Sequence, residues 1–100
     1  METLIITCGA EVADEVDARL RANDITAQRS PRRNIDGAAA TTWVLVAGVA
    51  VQSAPAILNS LRDLLTRKQV GEFTFGDVTI SNPSPEDVAE LIEVLRTRGQ

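Results

Sequence analysis

The 100-residue sequence predicts one α+β domain: a two-layer sandwich, ordered β-α-β-α-α-β-β-α, with a four-stranded sheet covered by helices on one face. Three observations predict it. The opening Thr3-Leu4-Ile5-Ile6-Thr7-Cys8 is a β-branched run closed by Gly9, which reads as a strand. The segments around Ile57–Leu65 and Val88–Leu95 repeat apolar residues at helical spacing. Glu72-Phe73-Thr74-Phe75, Gly76-Asp77 and Val78-Thr79-Ile80-Ser81 together spell a hairpin. A single domain suits the length, since folding units commonly run about 100–150 residues.

Each element follows from its local pattern. Leu4 to Ile6 are apolar on both faces, which places the first strand in the middle of its sheet. From Ala10 the period becomes helical: Val12, Val16 and Leu20 recur four apart, with Glu11, Asp14, Glu15 and Asp17 early and Arg19 and Arg21 late, as the macrodipole favours. Asn23-Asp24 ends this helix, and Ile25 to Ser30 forms a second, more exposed strand that completes a β-α-β unit. Pro31-Arg32-Arg33-Asn34-Ile35-Asp36-Gly37 reads as a loop.

From Gly37 to Leu61 no residue is charged. Within that run, Trp43 to Val51 is shorter than the about 20 residues a helix needs to cross a bilayer, and Thr41, Thr42, Gln52, Ser53, Asn59, Ser60 and Pro55 interrupt its surroundings. It reads as a buried helix packed closely through Ala47, Gly48 and Ala50. A buried strand is the rival because of Val44, Val46, Val49 and Val51.

Ser53 then caps a helix with Pro55 in its first turn. Ile57, Leu58, Leu61, Leu64 and Leu65 form its core stripe, and Arg67 and Lys68 suit its C-terminus. In the hairpin, Gly76 fits the first position of a type II′ turn. Phe75 then faces Val78 and Phe73 faces Ile80 on the buried side, with Glu72, Thr74, Thr79 and Ser81 on the other. Asn82-Pro83 stops the strand. Ser84 caps the last helix, Pro85 takes its first position, and Glu86 and Asp87 meet its positive end. Val88, Leu91, Ile92 and Leu95 make its core face.

Composition bounds the chemistry. Hydrophobic residues make up 44% and charged residues 24%, too apolar for a disordered tail. Ten Lys plus Arg against 14 Asp plus Glu leave a net charge of −4, which argues against a dedicated nucleic-acid binder. Histidine is absent, and with it the commonest general base, metal ligand and pH switch. Cys8 is the only cysteine, so folding needs no oxidising compartment and a cytoplasmic location is expected. The first residues lack the basic region and continuous apolar stretch of a signal peptide.

No catalytic constellation emerges. Cys8 has no histidine to activate it and reads as a small buried thiol. Asp14, Glu15 and Asp17, like Glu86 and Asp87, read as dipole partners on solvated faces. Gly9, Gly37, Gly48 and Gly71 are isolated, so they form no phosphate loop, and no calcium-binding pattern occurs. The expectation is a chain that is not an enzyme and takes no cofactor and no metal.

The candidate partner-binding residues are Trp43, Gly48, Arg29, Arg32 and Arg33. Arg29-Ser30-Pro31-Arg32-Arg33 resembles a minor-groove arm but lacks aromatic neighbours; a solvated loop or a contact for an acidic partner fits it better. Trp43 reads first as core and second as an interface anchor. Small side chains from Ala38 to Ala56 permit close helix approach, so a homo-oligomer through that segment is expected. The edge of the Phe73–Ile80 hairpin is the alternative docking site, through an added strand. A competing reading is a small membrane-attached protein using the uncharged residues 38–58.

A wider resemblance lies in the second half. Thr41-Thr42-Trp43-Val44-Leu45-Val46-Ala47-Gly48 is followed by an Ala/Ser-rich link and a Leu/Arg helix through Ile57, Leu58, Leu61, Arg62, Leu64, Leu65, Arg67 and Lys68. The hairpin and Ser84-Pro85-Glu86-Asp87-Val88 with Leu91-Ile92 come next. This order resembles the effector-associated constant component family of small bacterial proteins and domains. The long glycine-rich turns common in that family are reduced here to Gly48 and Ala50. The resemblance implies an adaptor without its own active site in NTP-dependent bacterial conflict systems, including defence against phage. Its implied partners are an effector, often a trypsin-like or caspase-like peptidase, and an NTPase encoded nearby. No catalytic residue carries over from the family to this chain.

Overall fold

The β-branched N-terminal run forms β1 (Glu2–Gly9), and the chain continues through α1 (Ala10–Ala22), β2 (Gln28–Arg32), β3 (Thr42–Val49), α2 (Ala54–Leu65), β4 (Val70–Phe75), β5 (Val78–Ser81) and α3 (Pro85–Arg98). The structure, a computed structural model, describes residues 2–32, 42–67 and 70–98. The fold is α+β, with three helices among the described residues and a five-stranded antiparallel sheet in the order β2-β3-β1-β4-β5.

The expected four strands become five because the Trp43 segment is β3, not a helix. Its burial alternates: Leu45, Ala47 and Val49 are buried, while Val46 and Gly48 are exposed. Valines lose χ1 freedom in a helix and sit well on a pleated surface. β3 also pairs along its length with β1 on one side and with β2 on the other, so its backbone polar groups find partners across both edges. The rival strand reading is the one the fold adopts, and close helix approach through Ala47, Gly48 and Ala50 falls with the helix.

β1 and β2 are both antiparallel to β3, which lies between them. β3 and β4 are likewise both antiparallel to β1. The chain thus traces two interlocked split β-α-β units, the strand order of a ferredoxin-like arrangement, extended by β5 and α3. The predicted β-α-β connectivity holds, with a third strand inserted between its two strands.

β2 begins later than the expected Ile25. The N–H of Ile25 bonds back to the carbonyl of Leu20 at 2.9 Å, closing the end of α1, and Ile25 and Ala27 pack against the core before pairing starts at Gln28. Pro31 and Arg32, expected in a loop, belong to this strand. An edge strand tolerates Pro31 because no ladder bond is required on its outer side. The remainder of the expected loop, from Arg33 to Gly37, lies outside the described residues, as do Ala38 to Thr41 and Lys68.

The register explains the core. Leu4, Ile6 and Cys8 stand opposite Ala47, Leu45 and Trp43 on one flank, and Leu4 and Ile6 stand opposite Phe75 and Phe73 on the other. Side chains alternate across a strand, so these residues share one face. They join the stripes of α1, α2 and α3 in a single cluster that includes the expected Ile57, Leu58, Leu61, Leu64, Leu65, Val88, Leu91, Ile92 and Leu95. Trp43, Val78 and Ile80, also expected on the buried side, only pack against it half-buried, and Ile5 turns to the opposite face. Arg19 ties α1 to α2 through Asp63 and the carbonyl of Ser60, and Arg67 adds a bond to Glu15 at 3.2 Å. The Arg19 bond holds the Asp63 carboxyl below its usual range.

The turns follow their residues. Phe75 pairs with Val78 and Phe73 with Ile80, as the hairpin pattern requires. Gly76 has φ +61°, a left-handed backbone conformation that glycine adopts without the steric cost a Cβ would bring. Ser84 and Asp87 cap α3 reciprocally: the N–H of Asp87 donates to Ser84 Oγ and the N–H of Ser84 to Asp87 Oδ2, each at 3.1 Å. Ser53 does not cap α2 as expected. Its backbone is already helical (φ −92°, ψ −14°) and its side chain makes no cap bond; the carbonyl of Ala50 accepts the N–H groups of Ser53 and Ala54 instead.

Candidate functional site

The expected partner-binding residues do not converge. Trp43 stands opposite Cys8 and Pro31, on the core side of the sheet. Gly48 lies five positions along the same strand, about 17 Å away, and on the opposite face. Arg32 closes β2 opposite Thr42, and Arg33 is outside the described residues.

Arg29 is engaged rather than free. Its guanidinium carbon sits 4.3 Å from the centroid of the Trp43 ring, and Nη1 donates to Asp14 on α1. Its Nε is buried without a hydrogen-bond partner among the described residues; the π face of the indole and the Asp14 carboxylate compensate its charge. Arg29 therefore brackets β2, β3 and α1 together and shields Trp43. Trp43 is the only tryptophan, so its emission reports this bracket directly. Arg29→Ala is expected to red-shift that emission and to cost about 1–2 kcal/mol, from the lost cation–π contact and stem packing. An unshifted spectrum with unchanged stability would contradict the bracket.

Cys8 is 1% exposed. Burial pushes its thiol up to about 11, with the nearby Arg29 charge opposing the shift more weakly. A thiolate, the nucleophilic form, is therefore scarce near neutrality. Cys8 of the folded chain is expected to react with iodoacetamide far more slowly than free cysteine; equal or faster reaction would contradict this placement. Linkage fixes a pH effect as well. The native pKa is raised from 9.0 to about 11, so the unfolded chain loses its proton first. The associated stability is complete below pH 9 and declines as pH rises towards 11.

The face away from the core carries a surface that the sequence reading missed. Val46 and Ile5 stand side by side at its centre, flanked by Gln28 and Thr74; in the neighbouring row Val44 and Thr7 are flanked by Ser30 and Glu72. Glu72 is the only charged residue in these two rows. Val46 is 37% exposed. Gly48 contributes to a shallow hollow of about 300 Å³ with Thr3, Thr26, Gln28 and Val46, so this member of the expected set does lie on the open face. The available signal was the alternation of Val44, Val46 and Gly48 with Leu45 and Ala47.

A second concave region lies between β5 and α3. Val78, Ile80, Leu91 and Val94 form its apolar lining, with Asp87 and Glu90 beside them, in a groove of about 430 Å³. Val94 is 45% exposed.

Among the described residues, no group of three or more Cys, Asp or Glu is placed to hold a metal ion, and no helix is long and apolar enough to cross a membrane. Of residues 38–58, the described part forms β3, a turn and the start of α2. The class that this geometry defines is an α+β domain with a split β-α-β sheet. Comparison of the sequence with known protein families and with curated proteins finds no match in either.

Proposed function

We propose that this chain is a non-enzymatic protein–protein adaptor, as its resemblance to the effector-associated constant component family implies. It links an effector such as a peptidase to the NTP-dependent machinery of a bacterial conflict or antiphage system, in the cytoplasm. In this reading the helices cover one face of the sheet as a two-layer sandwich, and the other face docks the partner. One observation carries it: Ile5, Val44 and Val46 form an apolar strip on the face away from the core, within a field of hydroxyl and amide side chains. Such a surface is stiff at χ1 and needs little charge desolvation, so ordering it against a partner costs little.

The test is recovery of the tagged chain from cells carrying its native neighbouring genes. A peptidase or NTPase encoded there is expected to co-purify, and Val46→Lys is expected to reduce its recovery by at least about tenfold, the loss typical of a central contact. Equal recovery by both forms, or no peptidase or NTPase with either, would overturn the proposal.

A further inference from the structure

β5 ends the described sheet, and its free side is continuous with the groove against α3. The pairs Phe75–Val78 and Phe73–Ile80 flank a two-residue hairpin turn. In the alternating antiparallel ladder, Val78 and Ile80 therefore turn their backbone groups towards β4, and Thr79 and Ser81 turn theirs outward. β5 contains neither lysine nor proline, two residues that commonly blunt a free edge. Val78 and Ile80 point to the core side yet stay partly exposed, because α3 packs chiefly on α2 and leaves the groove open. Asp87 and Glu90 line it, and Glu90 makes no ion pair among the described residues.

We propose that the β5 edge and the β5–α3 groove bind an extended segment of a partner protein whose groove-side residues are apolar at the centre, with Lys or Arg at the flank that lies beside the start of α3. The segment adds a strand through the outward N–H and C=O of Thr79 and Ser81. Its central apolar side chains, two residues apart, fill the space between Ile80 and Val94. The cation on the flank beside the start of α3 meets Asp87 and Glu90, which lie one helical turn apart. A second copy of this chain is a poorer occupant. Joining two β5 edges gathers the same acidic residues along one seam, in a chain of net charge −4, and like charges oppose that pairing. The inference rests on the adaptor reading but uses a surface that excludes Val46, so the two fail separately.

The probe is the peptide Lys-Thr-Ile-Thr-Ile-Thr-Lys with blocked ends, titrated into the full ¹⁵N-labelled chain. Amide shifts are expected at Thr79 and Ser81 and along α3 from Asp87 to Val94, with weaker binding as salt rises. Glu90→Lys is expected to weaken binding by about tenfold, while Val46→Lys leaves it unchanged. Four outcomes overturn the proposal: no shifts at β5, shifts centred on Ile5 and Val46, equal binding of the same peptide with glutamate flanks, or self-association of the free chain through β5.

Discussion

Phe73→Ala is expected to lower the folding free energy by about 3–5 kcal/mol, the range for emptying a fully buried aromatic site. Phe73 is 0% exposed and lies in β4 between Ile6 of β1 and Ile80 of β5. Its ring therefore fills space that backbone ladders on both sides prevent from collapsing. Domains of this size are stable by only about 5–15 kcal/mol, so the substitution removes a large share of the total. Each kcal/mol lowers Tm by about 4–8 °C in a domain of 60–100 residues. Urea titration reads the effect as a lower midpoint with an unchanged slope. A loss below about 1 kcal/mol, the typical cost of an average substitution, would mean that Phe73 does not occupy the centre of the core.

The second large effect separates two adjacent residues of β3. Leu45→Lys is expected to unfold the chain, because Leu45 is 1% exposed and an unpaired ammonium there carries a desolvation penalty of several kcal/mol. Val46→Lys, one position on, points away from the core and is expected to stay within about 1 kcal/mol of the parent. Circular dichroism and denaturant titration of the two variants give the comparison. Similar losses at both positions would contradict the strand and its facing, and tolerance of Leu45→Lys with collapse of Val46→Lys would reverse the register.

Much of the fold is legible in the sequence because much of it is periodic. Leu61, Leu64 and Leu65 can share a buried face only in a helix, and Phe73 and Phe75 can face Ile80 and Val78 only in a hairpin. The segment from Trp43 to Val51 is different. Its residues are nearly all apolar, so neither period stands out, and Ala47 and Gly48 imitate the small faces of packed helices. What decides it is pairing with β1, more than thirty residues earlier in the chain, which no local pattern encodes. The site was less legible for the same reason. Arg29 looked like a loop cation because its partners Asp14 and Trp43 are distant in sequence and meet it only when β2 lies beside β3 under α1. The Ile5–Val46 strip requires the β1–β3 register before it exists at all. Val94 did leave a trace, since it falls outside the Val88, Leu91, Ile92 and Leu95 stripe of its helix, and an unused apolar residue there marks the groove.

The docking role of the open sheet face is tested most directly by thiol labelling at its centre. Cys8 is buried, so a Val46→Cys variant carries one accessible thiol, and Glu11→Cys on α1 provides a matched site on the other side. Maleimide should modify both variants readily in the purified chain. In cells expressing the native neighbouring genes, Val46→Cys should become protected while Glu11→Cys keeps its rate. Equal modification of Val46→Cys with and without those genes would contradict the account.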